Sequence, residues 1–130
     1  MSGLDLSGRW LGVFSYPTAA PPVSFTAWLS EQAGWIVGAV EEQSGEGYGP
    51  RRRLGASIEG RRAGPAVTWL KLYDDPSRGY DAVTYEGAVS LDGLEISGRW
   101  SIPSSWSGAF LMTRKPVLTA ARRTRASARL

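Results

Sequence analysis

Apolar and polar residues alternate along most of this chain, in short runs broken by turn residues. Alternation of period two sends successive side chains to opposite faces of a strand, so each run reads as a half-buried strand. The first predicted strand covers Arg9 to Tyr16, with Trp10, Gly12, Phe14 and Tyr16 on one face. Val23 to Glu31 sets Phe25, Ala27 and Leu29 against Thr26, Trp28 and Ser30. After a turn at Ala33-Gly34, Trp35 to Gln43 carries Ile36, Gly38, Val40 and Glu42 in phase. Leu54 to Arg62 follows, and beyond Gly64-Pro65 a fifth strand carries Val67, Trp69, Lys71 and Tyr73. Tyr80 to Ser90 has Asp81, Val83, Tyr85 and Gly87 in phase, and Asp92-Gly93 reads as a tight hairpin turn of the primed type. The seventh strand aligns Ile96, Gly98, Trp100 and Ile102, and the eighth runs from Ser107 to Arg114.

Eight short strands at regular spacing point to a sandwich or a barrel. A glycine near the middle of most strands favours the barrel, because recurrent glycines permit the bending that a closed sheet needs. Closure also removes the exposed edges of a flat sheet. The expected fold is therefore all-β: an eight-stranded antiparallel up-and-down β-barrel over residues 1–115. Residues 116–130 then form a basic C-terminal tail, able to make a short helix with tertiary help or a partner.

Composition narrows the chemistry. The chain has no Cys and no His, which excludes disulfides, thiol nucleophiles, thiolate metal sites, serine triads and His-ligated haem. No metal and no cofactor are expected. The net charge of +3 is uneven: residues 114–130 hold six basic groups and no acid, leaving nine basic and twelve acidic groups in the first 113 residues. The barrel itself is thus mildly acidic. The tail is basic enough for an acidic surface or nucleic acid to be a partner. No apolar run reaches the length of a membrane span, and Met1-Ser2-Gly3-Leu4-Asp5 has neither a basic region nor a signal core, so the expected location is cytoplasmic.

Leu6-Ser7-Gly8-Arg9-Trp10 nearly recurs as Ile96-Ser97-Gly98-Arg99-Trp100. The first copy resembles the Gly-x-Trp with which calycin barrels begin: lipocalins, fatty-acid-binding proteins and avidins. That resemblance implies that a basic residue of the last strand, Arg114 or Lys115, packs on Trp10 and closes the barrel floor. Val67-Thr68-Trp69-Leu70-Lys71, Thr84-Tyr85-Glu86-Gly87 and the second copy resemble successive avidin segments, with Tyr85 where avidins carry Trp. Trp106 is similar to the Trp that avidins lend across a subunit interface. The likeness spans residues 8–113. It breaks at the polar residues that surround biotin, where this chain has Gly12, Tyr16, Val40, and Gly108 or Ala109. Avidin-like architecture without avidin's ligand is what the resemblance implies.

Strands alternating up and down put Trp10, Gly34, Val67, Ile96 and Arg114 near one end, the floor. Tyr16, Glu42, Tyr73, Asp81, Ile102 and Trp106 then lie near the mouth. Phe14, Phe25, Val40, Trp69, Tyr85 and Trp100 face inward between them. Aromatic walls under a few polar groups describe a pocket for a small apolar or aromatic molecule. The candidate ligand-binding residues are Phe14, Tyr16, Val40, Glu42 and Trp69, together with Lys71, Asp81, Tyr85, Trp100 and Trp106. The same aromatics would also serve simply to fill a small barrel. Glu42, Lys71 and Asp81 are either rim charges in water or a Lys71 flanked by two carboxylates that orients a ligand. Arg51-Arg52-Arg53 reads as a solvated loop or an anion contact. Two further readings stay open. One is a structural or interaction module, with outward Leu11, Val13, Trp28 and Leu70 at a homo-oligomer interface. The other is an isomerase or cyclase using Lys71 with Glu42 or Asp81.

Overall fold

The computed structural model describes residues 3–43, 53–75 and 82–116. Within them the chain forms eight strands and no helix. The strands are β1 (Gly8–Phe14), β2 (Val23–Gln32), β3 (Trp35–Gln43), β4 (Arg53–Ala63), β5 (Ala66–Tyr73), β6 (Val83–Val89), β7 (Glu95–Ser101) and β8 (Ser107–Thr113). Each pairs antiparallel with the next, and β8 returns to β1 with Phe14 opposite Phe110, so the sheet is a closed up-and-down barrel. No helix among the described residues is long and apolar enough to cross a membrane. The basic tail, apart from Pro116, lies outside the described residues, as does Arg51-Arg52.

The alternation read from the sequence is the alternation of burial. In β5, Val67, Trp69 and Lys71 are buried while Ala66, Thr68, Leu70 and Leu72 are exposed. Strand ends differ slightly from expectation. β1 stops at Phe14 rather than Tyr16: Ser15 N still donates to Ala109 O at 2.9 Å, but Pro17 has no N–H with which to continue the ladder. β6 begins at Val83, and Tyr80 and Asp81 lie outside the described residues.

The primed turn expected at Asp92-Gly93 is not there. A primed type I turn needs positive φ at both central residues, yet of the two only Gly93 has it, at 74°. The connection is longer, with Gly93 N donating to Ser90 O and Ser90 N to Glu95 O. The Asp92 carboxylate explains the choice. It accepts from Ser90 Oγ at 2.6 Å and Leu94 N at 3.0 Å, local bonds that a two-residue turn could not make. Both central residues do have positive φ at Ala33 (51°) and Gly34 (84°), between the paired Gln32 and Trp35.

Among the glycines that permit close approach, two sit at the most informative contacts. Gly98 pairs with Gly87, and a Cβ on Gly98 would lie 2.5 Å from the Gly87 Cα. A Cβ on Gly108 would come within 2.7 Å of the Trp100 indole nitrogen and closer still to the Ser15 carbonyl oxygen. At both places the wall is too tight for any side chain.

The core fills the lower barrel. Leu6, just before β1, and Trp10 are fully buried, and Trp10 Nε1 donates to Leu6 O at 2.9 Å. Arg114 lies 4.5 Å above the Trp10 ring while its Nε donates to Gly93 O at 2.9 Å and its Nη1 to Ser7 O at 3.3 Å. Of the two basic residues considered for this place, Arg114 occupies it. A planar guanidinium suits the position, because it can stack on a ring and donate sideways at once. Beside it, Glu31 accepts from Leu6 N and Arg62 Nε, holding the segment before β1 against the floor.

Candidate functional site

Six of the predicted residues meet at the mouth. The C-terminal end of β1 supplies Phe14 and, just beyond it, Tyr16; β5 supplies Lys71, β6 Tyr85 and β7 Trp100. Trp106 comes from the β7–β8 turn, which folds over itself through Ile102 N to Trp106 O (2.9 Å) and Ser105 N to Ile102 O (3.0 Å). Together with Tyr73, Val83, Ile102 and Ser105 they enclose a cavity of about 220 Å³. Its aromatic wall is one connected set. Tyr16 packs against Trp106 at 5.1 Å, and Trp100 meets Phe14, Tyr16 and Trp106 edge-on at 6.1, 5.9 and 6.0 Å. The Trp100 N–H is tied to Ser15 O at 3.0 Å, so its ring plane is fixed from behind.

Val40 and Trp69 share the inward phase but sit lower. With Phe25, Ala27, Ile58 and Met112 they line a space of about 10 Å³, at the limit of what one water requires, roughly 10–15 Å³. Trp69 stacks on Tyr85 at 5.9 Å, and Phe110 meets Tyr85 edge-on at 4.9 Å. This level is core. Lys71 and Tyr85 line both spaces and divide them.

The inward charges are buried rather than wet. Lys71 and Glu42 are 3% and 4% exposed, and Lys71 Nζ donates to Glu42 Oε2 at 3.1 Å. The other carboxylate oxygen, Oε1, accepts from the Tyr73 hydroxyl at 2.7 Å. Of the two carboxylates expected to flank Lys71, Glu42 does so, and Asp81 lies outside the described residues. The rings of Tyr73, Phe14 and Tyr85 surround the ammonium at 4.7, 4.9 and 5.3 Å, within cation–π range. Burial pushes the Lys71 ammonium below its ordinary value, and the Glu42 charge opposes that shift. Burial, and then the Glu42 charge, push the Tyr73 and Tyr85 hydroxyls far above theirs. Both phenols therefore stay protonated, and Tyr73 acts as a donor.

Sequence phase placed Tyr73 at the mouth but did not include it among ligand-facing residues. Its signal was present: it follows Lys71 by two positions and so shares its face. Glu42 and Lys71 belong to strands separated by β4. On β4, Glu42 is opposite Leu54 and Lys71 opposite Ile58, with Ala56 between them.

The outer wall carries a second feature. Leu11, Trp28, Val37, Leu70 and Leu72 are all more than 40% exposed. An open groove of about 420 Å³ runs beside Trp35, Val37, Arg61, Thr68, Leu70 and Thr84, with Arg61 5.6 Å from the Trp35 ring. Among the described residues there is no cluster of three or more acidic groups able to hold a metal ion. Compared with known proteins, the chain matches no protein-family model and no curated protein.

Proposed function

We propose that this protein is a non-enzymatic β-barrel that binds one small, partly aromatic or apolar molecule in the cavity at its mouth. The observation that carries the reading is the contrast along the barrel axis: a lower half packed to about 10 Å³ and an upper cavity of about 220 Å³ walled by aromatic rings. A cavity of about 150 Å³ already admits benzene, so the mouth has room for one ring with a short substituent. Apolar walls with few polar groups are the usual make-up of such sites. The Gly-x-Trp floor, with a basic residue on the Trp, supports a calycin-type ancestry, avidin-like in architecture and lacking the polar set that holds biotin. Each oxygen of Glu42 already accepts a hydrogen bond, from Lys71 and from Tyr73, which supports a positioning role for the pair.

A panel of small aromatic and alicyclic compounds tests this by thermal shift and Trp fluorescence. Binding to the folded state should raise the melting temperature in proportion to the logarithm of ligand concentration. Ile102→Trp, which fills the cavity from its wall, should abolish the shift while the protein stays folded. A flat response across the panel would sink the proposal.

A second reading is favoured by the outer wall. Trp28 on β2, Val37 on β3, and Leu70 and Leu72 on β5 project from the outer wall, and we propose that this wall pairs with a second copy of the chain. Light scattering at micromolar concentration should then give a multiple of 14.1 kDa, reverting to the monomer in Leu70→Arg. A monomer in the unmodified protein would refute it.

A further inference from the structure

The chemistry of the ligand can be narrowed from Lys71. An ammonium has three N–H donors. Among the described residues Lys71 makes one hydrogen bond, to Glu42, and its remaining directions face the rings of Phe14, Tyr73 and Tyr85. Ring faces attract a cation but are poorer partners than an oxygen lone pair. The same three rings line the mouth cavity, as does Lys71, so the ammonium borders the open space. Lys71 is the one charged side chain among the described residues lining it. Glu42 is not among the residues lining the cavity, and Lys71 and Tyr73, which are, each donate to one of its oxygens. Of this pair, the member facing the cavity is the donor, so a ligand seated there meets an N–H rather than a carboxylate.

Charge narrows the choice further. Lys71 and Glu42 are buried and together neutral. A ligand carboxylate would add a second anion to a single cation and leave one buried charge uncompensated. A ligand ammonium would face Lys71 with like charge. A neutral acceptor brings neither penalty.

We infer that the mouth cavity takes an uncharged cyclic carbonyl compound, its C=O oxygen accepting a hydrogen bond from Lys71 Nζ and its ring seated among Phe14, Tyr16, Trp100 and Trp106. The inference rests on the ligand-binding reading and adds to it the polar end of the ligand. Size agrees, since about 220 Å³ suits one ring bearing a short carbonyl group.

Acetophenone, ethylbenzene, benzoate and benzylamine, similar in size and differing at one group, provide the test on the full chain at neutral pH. Acetophenone should bind tightest, ahead of ethylbenzene by roughly 10- to 100-fold, the scale of a hydrogen bond from a charged donor. Ethylbenzene is the more apolar of the two, so burial alone predicts the opposite order. The infrared C=O band of bound acetophenone should move to lower frequency. Lys71→Met combined with Glu42→Leu removes both charges at similar volume; it should erase the carbonyl preference and the band shift while ethylbenzene still binds. Equal binding of acetophenone and ethylbenzene, tighter binding of benzoate, or a preference surviving in the double variant would each overturn the inference and leave the pocket standing. Failure of all four compounds to bind would overturn the ligand-binding reading itself, and this one with it.

Discussion

The floor and the mouth of the barrel treat their large and polar side chains in opposite ways. At the floor, Trp10 and Leu6 are fully buried, the indole N–H is met by Leu6 O, and Arg114 covers the ring from outside while bonding to backbone carbonyls. Every group there has a partner that stability alone explains. At the mouth, aromatic rings surround a cavity, and beneath it two charges are held almost fully out of water. A buried ion pair is weak evidence for stability, since well-packed apolar residues often do as well or better. A packed floor is what closing a barrel requires. A charged pair under an open space has no such necessity, and function is therefore sought there.

The largest expected effect tests the floor. Trp10→Ala should lower unfolding stability by about 3–5 kcal/mol, read by chemical denaturation, because it removes a fully buried ring and strands the Arg114 guanidinium above it. A loss under about 1 kcal/mol would mean that the floor is not the structural end of the molecule.

Next in size is the ion pair. Glu42→Leu alone should cost about 3 kcal/mol or more, since it leaves Lys71 buried without a counter-charge. Adding Lys71→Met should restore most of that loss. If the double variant were as unstable as the single, the pair would be structural, and the contrast between the two ends would weaken.

A third effect appears at high pH. The Tyr85 hydroxyl is held far above its ordinary value of 10, chiefly by burial. Above pH 10 the unfolded chain therefore loses a proton that the folded chain keeps. The stability Tyr85 contributes is fully present below that pH and falls as the pH rises, by about 1.4 kcal/mol per unit for one proton. Tyr85→Phe should flatten the alkaline decline by that slope in denaturation series run between pH 9 and 11. An unchanged slope would show that the phenol titrates normally and that the level beneath the mouth is wetter than its packing indicates.

Much of this was legible from alternation, and the exceptions have definite causes. Period two fixes which face a side chain takes, so Phe14, Tyr16, Lys71, Tyr85 and Trp100 were placed inside from sequence alone, whereas Trp106, in the β7–β8 turn, came from its position near the mouth and the resemblance. It does not fix height along the barrel. Val40 and Trp69 share the phase of the pocket residues yet belong to the packed level, because height depends on the stagger of eight strands rather than on any one of them. The state of Glu42 and Lys71 was also beyond the pattern. Whether two inward charges are wet or paired turns on how two strands that are not neighbours are brought together, here β3 and β5 across β4. The Asp92-Gly93 turn was misread for a local reason: the aspartate side chain bonds to Ser90 and Leu94 and draws the chain into a longer loop.

The smallest expected effect on stability comes from the mouth. Trp106 is 39% exposed and rests on Tyr16 and Trp100 at 5.1 and 6.0 Å, so Trp106→Ala gives up aromatic contact but opens no sealed hole. Its cost should be about 1 kcal/mol, the scale of such ring pairs. Its effect on binding should be at least as large, because the ring forms part of the cavity wall and the β7–β8 turn holds it there before any ligand arrives. Affinity for a bound panel compound should fall by roughly five- to tenfold, the same scale as one lost aromatic contact, with the melting temperature of the free protein nearly unchanged. The milder Arg114→Lys at the floor should show the reverse: lower stability, unchanged affinity. Should Trp106→Ala destabilise the fold more than Arg114→Lys does, or leave affinity untouched, the division into a structural end and a binding end would be wrong.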